Sequence, residues 1–205
     1  MAIYRDHIFP RLLEIALGGR KPMEYRRRVL AAARGQVLEI GFGTGLNLEC
    51  YPDQVERLTL LDVDRLLPRR VQKRIAATSF PVEMAFLDAA RLPFADASFD
   101  VVVSTWTLCT IPDVASALTE VRRVLRPGGE FLFLEHGRSE DPHVARRQDR
   151  WNGVQKFVGC GCNLNRPIDD LVSAAGLKIA QLDRFQMPGM PKIGAAHYLG
   201  AARHA

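Results

Sequence analysis

Apolar positions recur along the chain at two spacings, and the switches between them outline the elements. Over residues 4–17 the apolar side chains of Ile8, Leu12, Leu13, Ile15 and Ala16 fall near helical spacing, interrupted at Pro10 and stopped by Gly18 and Gly19. One or two short helices are expected there, and another over residues 22–34 that stops at Gly35. Val37, Leu38, Glu39 and Ile40 then run straight into a glycine cluster, the pattern of a strand followed by a tight loop. Strands are predicted at 58–61, 82–87 and 99–104, with helices at 66–77 and 114–125 between and after them. Pro127, Gly128 and Gly129 close that last helix, and a strand follows at 131–135. A helix over 168–175 ends at Gly176, and strands at 177–182 and 194–201 complete the chain. Strands alternating with helices specify an α/β fold, a mainly parallel sheet covered on both faces.

The chain has 205 residues, 47% of them hydrophobic, enough for one full core, and nothing in the pattern marks a boundary. A single domain over 1–205 is expected, with 1–34 as an N-terminal helical segment and 141–166 as an insertion covering the substrate. The net charge is +5, but basic and acidic residues are interspersed, so no nucleic-acid partner is implied. The densest basic run, Arg26, Arg27 and Arg28, reads as a solvated helix face. Apolar runs fall short of the roughly 18–20 residues of a membrane span, and the start lacks the apolar core of a secretory signal. A cytoplasmic protein without stable membrane insertion is expected. Cys50, Cys109, Cys160 and Cys162 are too few for a disulfide scaffold and should remain thiols. Nothing in the sequence fixes an oligomeric state.

The glycine cluster is where chemistry enters. Glu39-Ile40-Gly41-Phe42-Gly43-Thr44-Gly45 follows the first core strand and is expected to open a helix, where missing Cβ atoms let backbone amides approach a ligand. Asp62 ends the next strand about 20 residues further on, where a carboxylate grips a ribose diol. Asp64 competes for that role or caps the following helix. A carboxylate at Glu39 would repel a pyrophosphate and attract an ammonium or sulfonium, both of which S-adenosylmethionine carries. The third glycine also follows the second by two residues and not by the three of the dinucleotide fingerprint. S-adenosylmethionine is therefore the expected cofactor. Phe42, Thr44, Asn47 and Val63 are counted with its site. Asp88 and Ala89 are expected at the adenine. Ser104, Thr105 and Trp106 end the fourth strand over the same sheet edge, although Trp106 also suits a plain core role.

Four stretches in this order resemble the class I S-adenosylmethionine-dependent methyltransferases, of the methyltransferase type 11 kind, across residues 36–199. They are Leu38-Glu39-Ile40-Gly41-Phe42-Gly43-Thr44-Gly45, Asp88-Ala89-Ala90-Arg91-Leu92-Pro93-Phe94, Ser98-Phe99-Asp100-Val101-Val102-Val103 and Val121-Arg122-Arg123-Val124-Leu125-Arg126-Pro127-Gly128-Gly129. The resemblance implies a seven-stranded Rossmann-like sheet of order 3-2-1-4-5-7-6 with strand 7 antiparallel. It also carries cofactor roles onto Glu39, Gly41, Gly43, Gly45, Asp62 and Asp88. Gly45-Leu46-Asn47 with Tyr51-Pro52, Thr107-Leu108-Cys109, Glu135-His136 and Gly161-Cys162-Asn163-Leu164-Asn165-Arg166 look like the methyltransferase-like thiol S-methyltransferases and their bacterial relatives. That likeness implies a small-molecule acceptor, a thiol first, with a phospholipid amine or a quinone-like hydroxyl as the alternative.

Methyl transfer needs no protein nucleophile, only an acceptor lone pair held in line with the methyl group and its leaving sulfur. His136, at the end of the fifth strand, is placed to face the methyl group, as general base or else as a structural or substrate-orienting residue. Tyr4, Trp151, Phe157 and Asn163 are candidates for the substrate wall. Cys160 and Cys162, with His136 and His143, match no common zinc spacing, and no metal is expected. Ser104-Thr105-Trp106-Thr107 stands where an RNA-modifying enzyme would carry an Asn-Pro-Pro-Tyr motif. The intact loop with Glu39, Asp62 and Asp88 argues against a protein that has lost its cofactor.

Overall fold

A computed structural model of the protein describes residues 4–204; residues 1–3 and 205, the ends of the expected domain, lie outside the described residues. Strands β1 (Gly35–Ile40), β2 (Val55–Asp62), β3 (Val82–Phe86), β4 (Phe99–Thr105), β5 (Leu125–His136), β6 (Leu177–Gln186) and β7 (Ala196–His204) form one sheet. Its order is β3-β2-β1-β4-β5-β7-β6. Pairing is parallel from β3 through β5, and β7 runs antiparallel to both β5 and β6. This is the Rossmann-like order that the resemblance implies.

Successive residues of a strand face opposite sides of the sheet, and β4 shows it directly. Val102 packs with Leu38, Phe131 and Phe133 against α4 (Val114–Val124) and α6 (Ile168–Ala174). Val101 and Val103 pack with Val37, Leu58 and Leu132 against α2 (Arg20–Leu30) and α3 (Pro68–Ile75). Burial on both faces explains the continuous apolar runs of the central strands, each buried Val, Leu or Phe contributing about 1.5–3 kcal/mol. Before the sheet, a π-helical turn (Tyr4–Ile8) leads into α1 (Phe9–Leu17).

Two local expectations are corrected, and one helix is added. After the glycine loop there is only a 3-10 turn, Leu46–Glu49, and no core helix. Pro52 has no N–H to continue the turn, and Tyr51 swings back to hydrogen-bond Glu39. Pro127-Gly128-Gly129 does not close α4, which ends at Val124; the triplet lies inside β5 as an irregularity, Phe99 pairing with Leu125 and Val101 with Glu130. Residues 141–166 contain α5 (Pro142–Val158), a helix that apolar periodicity does not reveal. Its buried positions are Ala145 and Gln148, and its large apolar side chains Trp151, Val154, Phe157 and Val158 face out. Gln148 accepts from the Ser139 N–H and donates to the carbonyls of Gly137 and Ile193. A short α7 (Lys192–Ala195) precedes β7.

Candidate active site

Strands β1, β2 and β4 end at one edge of the sheet, and the glycine loop crosses it. Gly41 has φ +70°, and a Cβ there would come within 2.1 Å of the Thr107 side chain, so only glycine fits. Gly43, at φ +55°, would place a Cβ where nothing lies within 4 Å, because it faces open space. Asp62 Oδ2 accepts the Gly43 N–H at 2.8 Å and Oδ1 accepts that of Asp64 at 3.1 Å. Burial pushes the Asp62 carboxyl above the usual range, against the pull of these amides.

Two cavities flank the loop, of about 400 Å³ and 230 Å³. They share Gly41, Gly43, Trp106, Thr110, Phe9 and Leu13, so they form two lobes around one loop. The smaller lobe is lined by Asp62, exposed Val63, Asp64, Asp88 and Ala89. The larger is lined by Phe42, Thr44, Thr105, Arg26 and His136, with apolar side chains of α1. Trp106 walls both lobes and donates from its ring N–H to His197 Nε2 at 2.9 Å.

Beneath the loop lies a buried polar network. Glu39 accepts from Asn47 Nδ2 at 2.9 Å and from the Tyr51 hydroxyl at 2.6 Å. Arg26 Nη1 donates to Asn47 Oδ1 at 2.6 Å and to Thr105 Oγ1 at 2.9 Å. Burial pushes Glu39 up to about 7, although Tyr51, Arg26 and Asn47 all favour its charge. Burial likewise lowers Arg26 to about 10. Glu39 and Asn47 therefore sit below the cavity wall and do not line it, whereas Arg26 does. The expectation that Arg26 belongs to a solvated face is overturned: it is 5% exposed, its guanidinium lies 4.6 Å over the Trp106 ring, and its Nε finds no partner among the described residues. A triplet of arginines on one helix turn conceals that only the first points inward.

Other expected residues separate by role. Ser104 is fully buried and donates to Glu135 Oε1 at 2.6 Å, which removes it from the cofactor wall. Gly45 turns the chain into the 3-10 segment at φ +77°. Asp88 accepts from the Ala90 N–H at 2.9 Å while lining the smaller lobe. Tyr4 donates to the Val158 carbonyl at 2.9 Å, and Phe9, Leu13 and Leu17 line the larger lobe in its place. Trp151 and Phe157 are 50% and 66% exposed, because α5 turns its polar stripe inward and Gln155 is the residue of that helix that reaches the cavity. Asn163 lies behind the wall, donating to the carbonyls of Cys109 and Gly161.

At the far end of the larger lobe His136 meets two cysteines. Its Nε2 is 3.0 Å from Cys162 Sγ, and Cys109 lines the same wall. The Cys109 hydrogen bond and burial push the Cys162 thiol well above its ordinary range. Reading Cys160 as the partner of Cys162 misses this grouping, because Cys109 lies on a different loop.

The family described as methyltransferase domain matches residues 38–133. The thiol S-methyltransferase TMT1A of Homo sapiens is 33% identical over 177 residues, covering 81% of this chain and 69% of that protein. The chain belongs to the class I S-adenosylmethionine-dependent methyltransferases. The phosphatidylethanolamine N-methyltransferase of Cereibacter sphaeroides is 35% identical to this methyltransferase over 126 residues, 58% of the chain and 62% of that protein. The solved N-methyltransferase NodS of Bradyrhizobium japonicum WM9 in complex with S-adenosyl-L-homocysteine superimposes with a TM-score of 0.66 at 20% identity, over 95% of this chain and 97% of that one. S-adenosylmethionine is the cofactor of this methyltransferase, and the site suits it. A buried guanidinium with an orphan Nε faces one lobe, an open glycine amide region spans the middle, and three carboxylates, Asp62, Asp64 and Asp88, line the other lobe. These donors and acceptors complement a carboxylate, a ribose diol and an adenine amino group. No helix among the described residues is long and apolar enough to cross a membrane.

Proposed function

We propose that this methyltransferase methylates the sulfur of a small thiol. The observation that carries the reading is the composition of the larger lobe: His136, Cys109 and Cys162 stand among apolar side chains, and no carboxylate lines it among the described residues. No carboxylate there would pair with an ammonium, whereas a soft, neutral thiol suits such a wall. The likeness to a thiol S-methyltransferase supports the same acceptor.

When bound, the cofactor supplies an electrophilic methyl group on a sulfonium. Asp62 holds the ribose hydroxyls, Asp88 accepts from the adenine amino group beside Ala89, and Val63 covers the smaller lobe. Arg26 anchors the methionine carboxylate, while Gly41 and Gly43 let the loop backbone approach. Phe9, Leu13 and Trp106 exclude water, which leaves the acceptor lone pair unshielded for in-line attack. An ordinary thiol with a pKa near 8.5 is mostly protonated at neutral pH. His136 orients it and promotes its ionisation.

A phospholipid amine is the second reading. It is favoured by the likeness to a phosphatidylethanolamine N-methyltransferase and by exposed Ile8, Leu12 and Ile15 on the N-terminal segment and Trp151, Val154 and Phe157 on α5. Methyl transfer from tritiated S-adenosylmethionine to alkyl thiols, phosphatidylethanolamine and quinols separates the two. Labelled thioether is the expected product, and labelled lipid without thioether overturns the thiol reading.

A further inference from the structure

We propose that Cys109, His136 and Cys162 bind one thiophilic divalent cation, zinc by donor type, with a fourth position open to the acceptor thiol. The three protein ligands rest on geometry alone; the fourth rests on the thiol reading above.

One ligand atom from each of the three residues lies within 4.8 Å of the other two. Tetrahedral zinc, with bonds of about 2.3 Å to sulfur and 2.0–2.1 Å to nitrogen, sets ligand atoms about 3.5–3.8 Å apart. His136 Nε2 and Cys162 Sγ, at 3.0 Å, therefore need to open by only several tenths of an ångström. A Cys2His set is one that catalytic zinc sites use, three protein ligands leaving one position for a water or substrate. All three residues line the larger lobe together with the glycine loop, so that position faces the cavity in which methyl transfer occurs.

The ligands come from the turn after β4, the end of β5 and the loop after α5, and groups outside the set hold them together. Cys109 O accepts from both the backbone N–H of Asn163 at 2.9 Å and its side-chain amide at 2.8 Å. Arg166 donates to the Leu108 carbonyl. Cys160 and Gly161 adopt positive φ, 50° and 100°, in the turn that presents Cys162. Such support of ligand-bearing segments is what a preformed metal site requires.

Charge is consistent with burial. Two thiolates neutralise a divalent cation, so the three-ligand complex carries no net charge. A third thiolate adds one negative charge, and the half-buried Arg166 guanidinium interacts electrostatically with Cys109 and Cys162. The acceptor thiol binds the cation and gives up its proton to solvent. Its sulfur lone pair then forms the new bond to the methyl carbon as the carbon–sulfonium bond breaks, that pair staying on the cofactor's sulfur. The products, a neutral thioether and S-adenosylhomocysteine, balance charge and atoms with no redox step. His136 thereby acts as a ligand, which explains how a thiol ionises although Cys162 engages the Nε2 that a free base would use.

Cobalt(II) titration of the intact metal-free protein tests this without relying on activity. One cobalt per chain is expected, with a thiolate-to-cobalt charge-transfer band and the ligand-field bands of tetrahedral coordination. An alkyl thiol added with S-adenosylhomocysteine should shift those bands, zinc should abolish them, and His136→Gln or Cys162→Ser should lose them. Cys50→Ser, remote from the site, should keep them. Absence of the charge-transfer band in folded wild-type protein overturns the site, as does undiminished thiol methylation after chelation, and either result leaves the thiol reading standing. A cobalt band that no thiol shifts, in a protein that labels only lipid, instead removes the thiol as fourth ligand.

Discussion

Asn163 donates twice to the carbonyl of Cys109, once from its backbone and once from its side chain, tying the loop after α5 to the turn after β4. Asn152 joins them, its Nδ2 donating to Asn163 Oδ1 at 3.1 Å and its Oδ1 accepting from the Leu164 N–H at 2.8 Å. Residues that do not themselves line the larger lobe therefore hold the segments of Cys109 and Leu164 that do.

Asn163→Ala leaves the buried Cys109 carbonyl with one donor fewer. A loss of about 1–2 kcal/mol in stability is expected, as for a buried hydrogen bond removed from one side. Affinity for S-adenosylhomocysteine should be unchanged in calorimetry, while kcat/KM for the acceptor falls. Weakened cofactor binding would contradict this division of the site.

Arg26→Gln tests the carboxylate anchor. Charge-assisted hydrogen bonds contribute about 1.5–3 kcal/mol, so affinity for S-adenosylhomocysteine should fall about 10- to 100-fold. An analogue lacking the carboxylate should bind the parent more weakly than S-adenosylhomocysteine does, and the two should bind the variant alike. A difference that survives in the variant would place the anchor elsewhere.

Asp62→Ala should weaken the same ligand by a factor on the order of 100, through loss of two ribose hydrogen bonds to a charged acceptor. The sheet should stay folded by circular dichroism. Undiminished affinity would remove Asp62 from the ribose.

Glu39 links stability to pH. Its carboxyl is raised from 4.5 to about 7 in the folded chain, so between those values the folded state holds a proton that the unfolded state has lost. Its contribution is full below about pH 4.5 and declines as pH rises to about 7, reaching a loss of up to about 3 kcal/mol. Glu39→Gln should remove this part of the slope, so denaturant midpoints of parent and variant should diverge as pH rises through that window. Parallel curves would mean that Glu39 does not titrate there.

The sheet was legible because β1, β2 and β4 are buried on both faces and bounded by Gly41, Asp62 and Trp106, so their apolar runs and sharp ends survive in the sequence. The place of Gly41, Gly43, Asp62 and Asp88 along the cavity was legible because each ends or closely follows a strand whose position the pattern fixes. Helix α5 was hidden because its inward stripe is polar, Gln148 and Asn152 bonding to loops and Gln155 lining the cavity, while Trp151 and Phe157 point outward. Arg26 and the grouping of Cys109, His136 and Cys162 were hidden for another reason: each depends on which side of a turn a residue faces, or on two loops distant in sequence meeting in space.

The most direct test of the account is the fate of the methyl group in the intact protein supplied with tritiated S-adenosylmethionine and a small alkyl thiol. The account predicts a tritiated thioether, formed in proportion to the S-adenosylhomocysteine released. Tight binding of S-adenosylhomocysteine with label appearing only in an added phospholipid or quinol would contradict it.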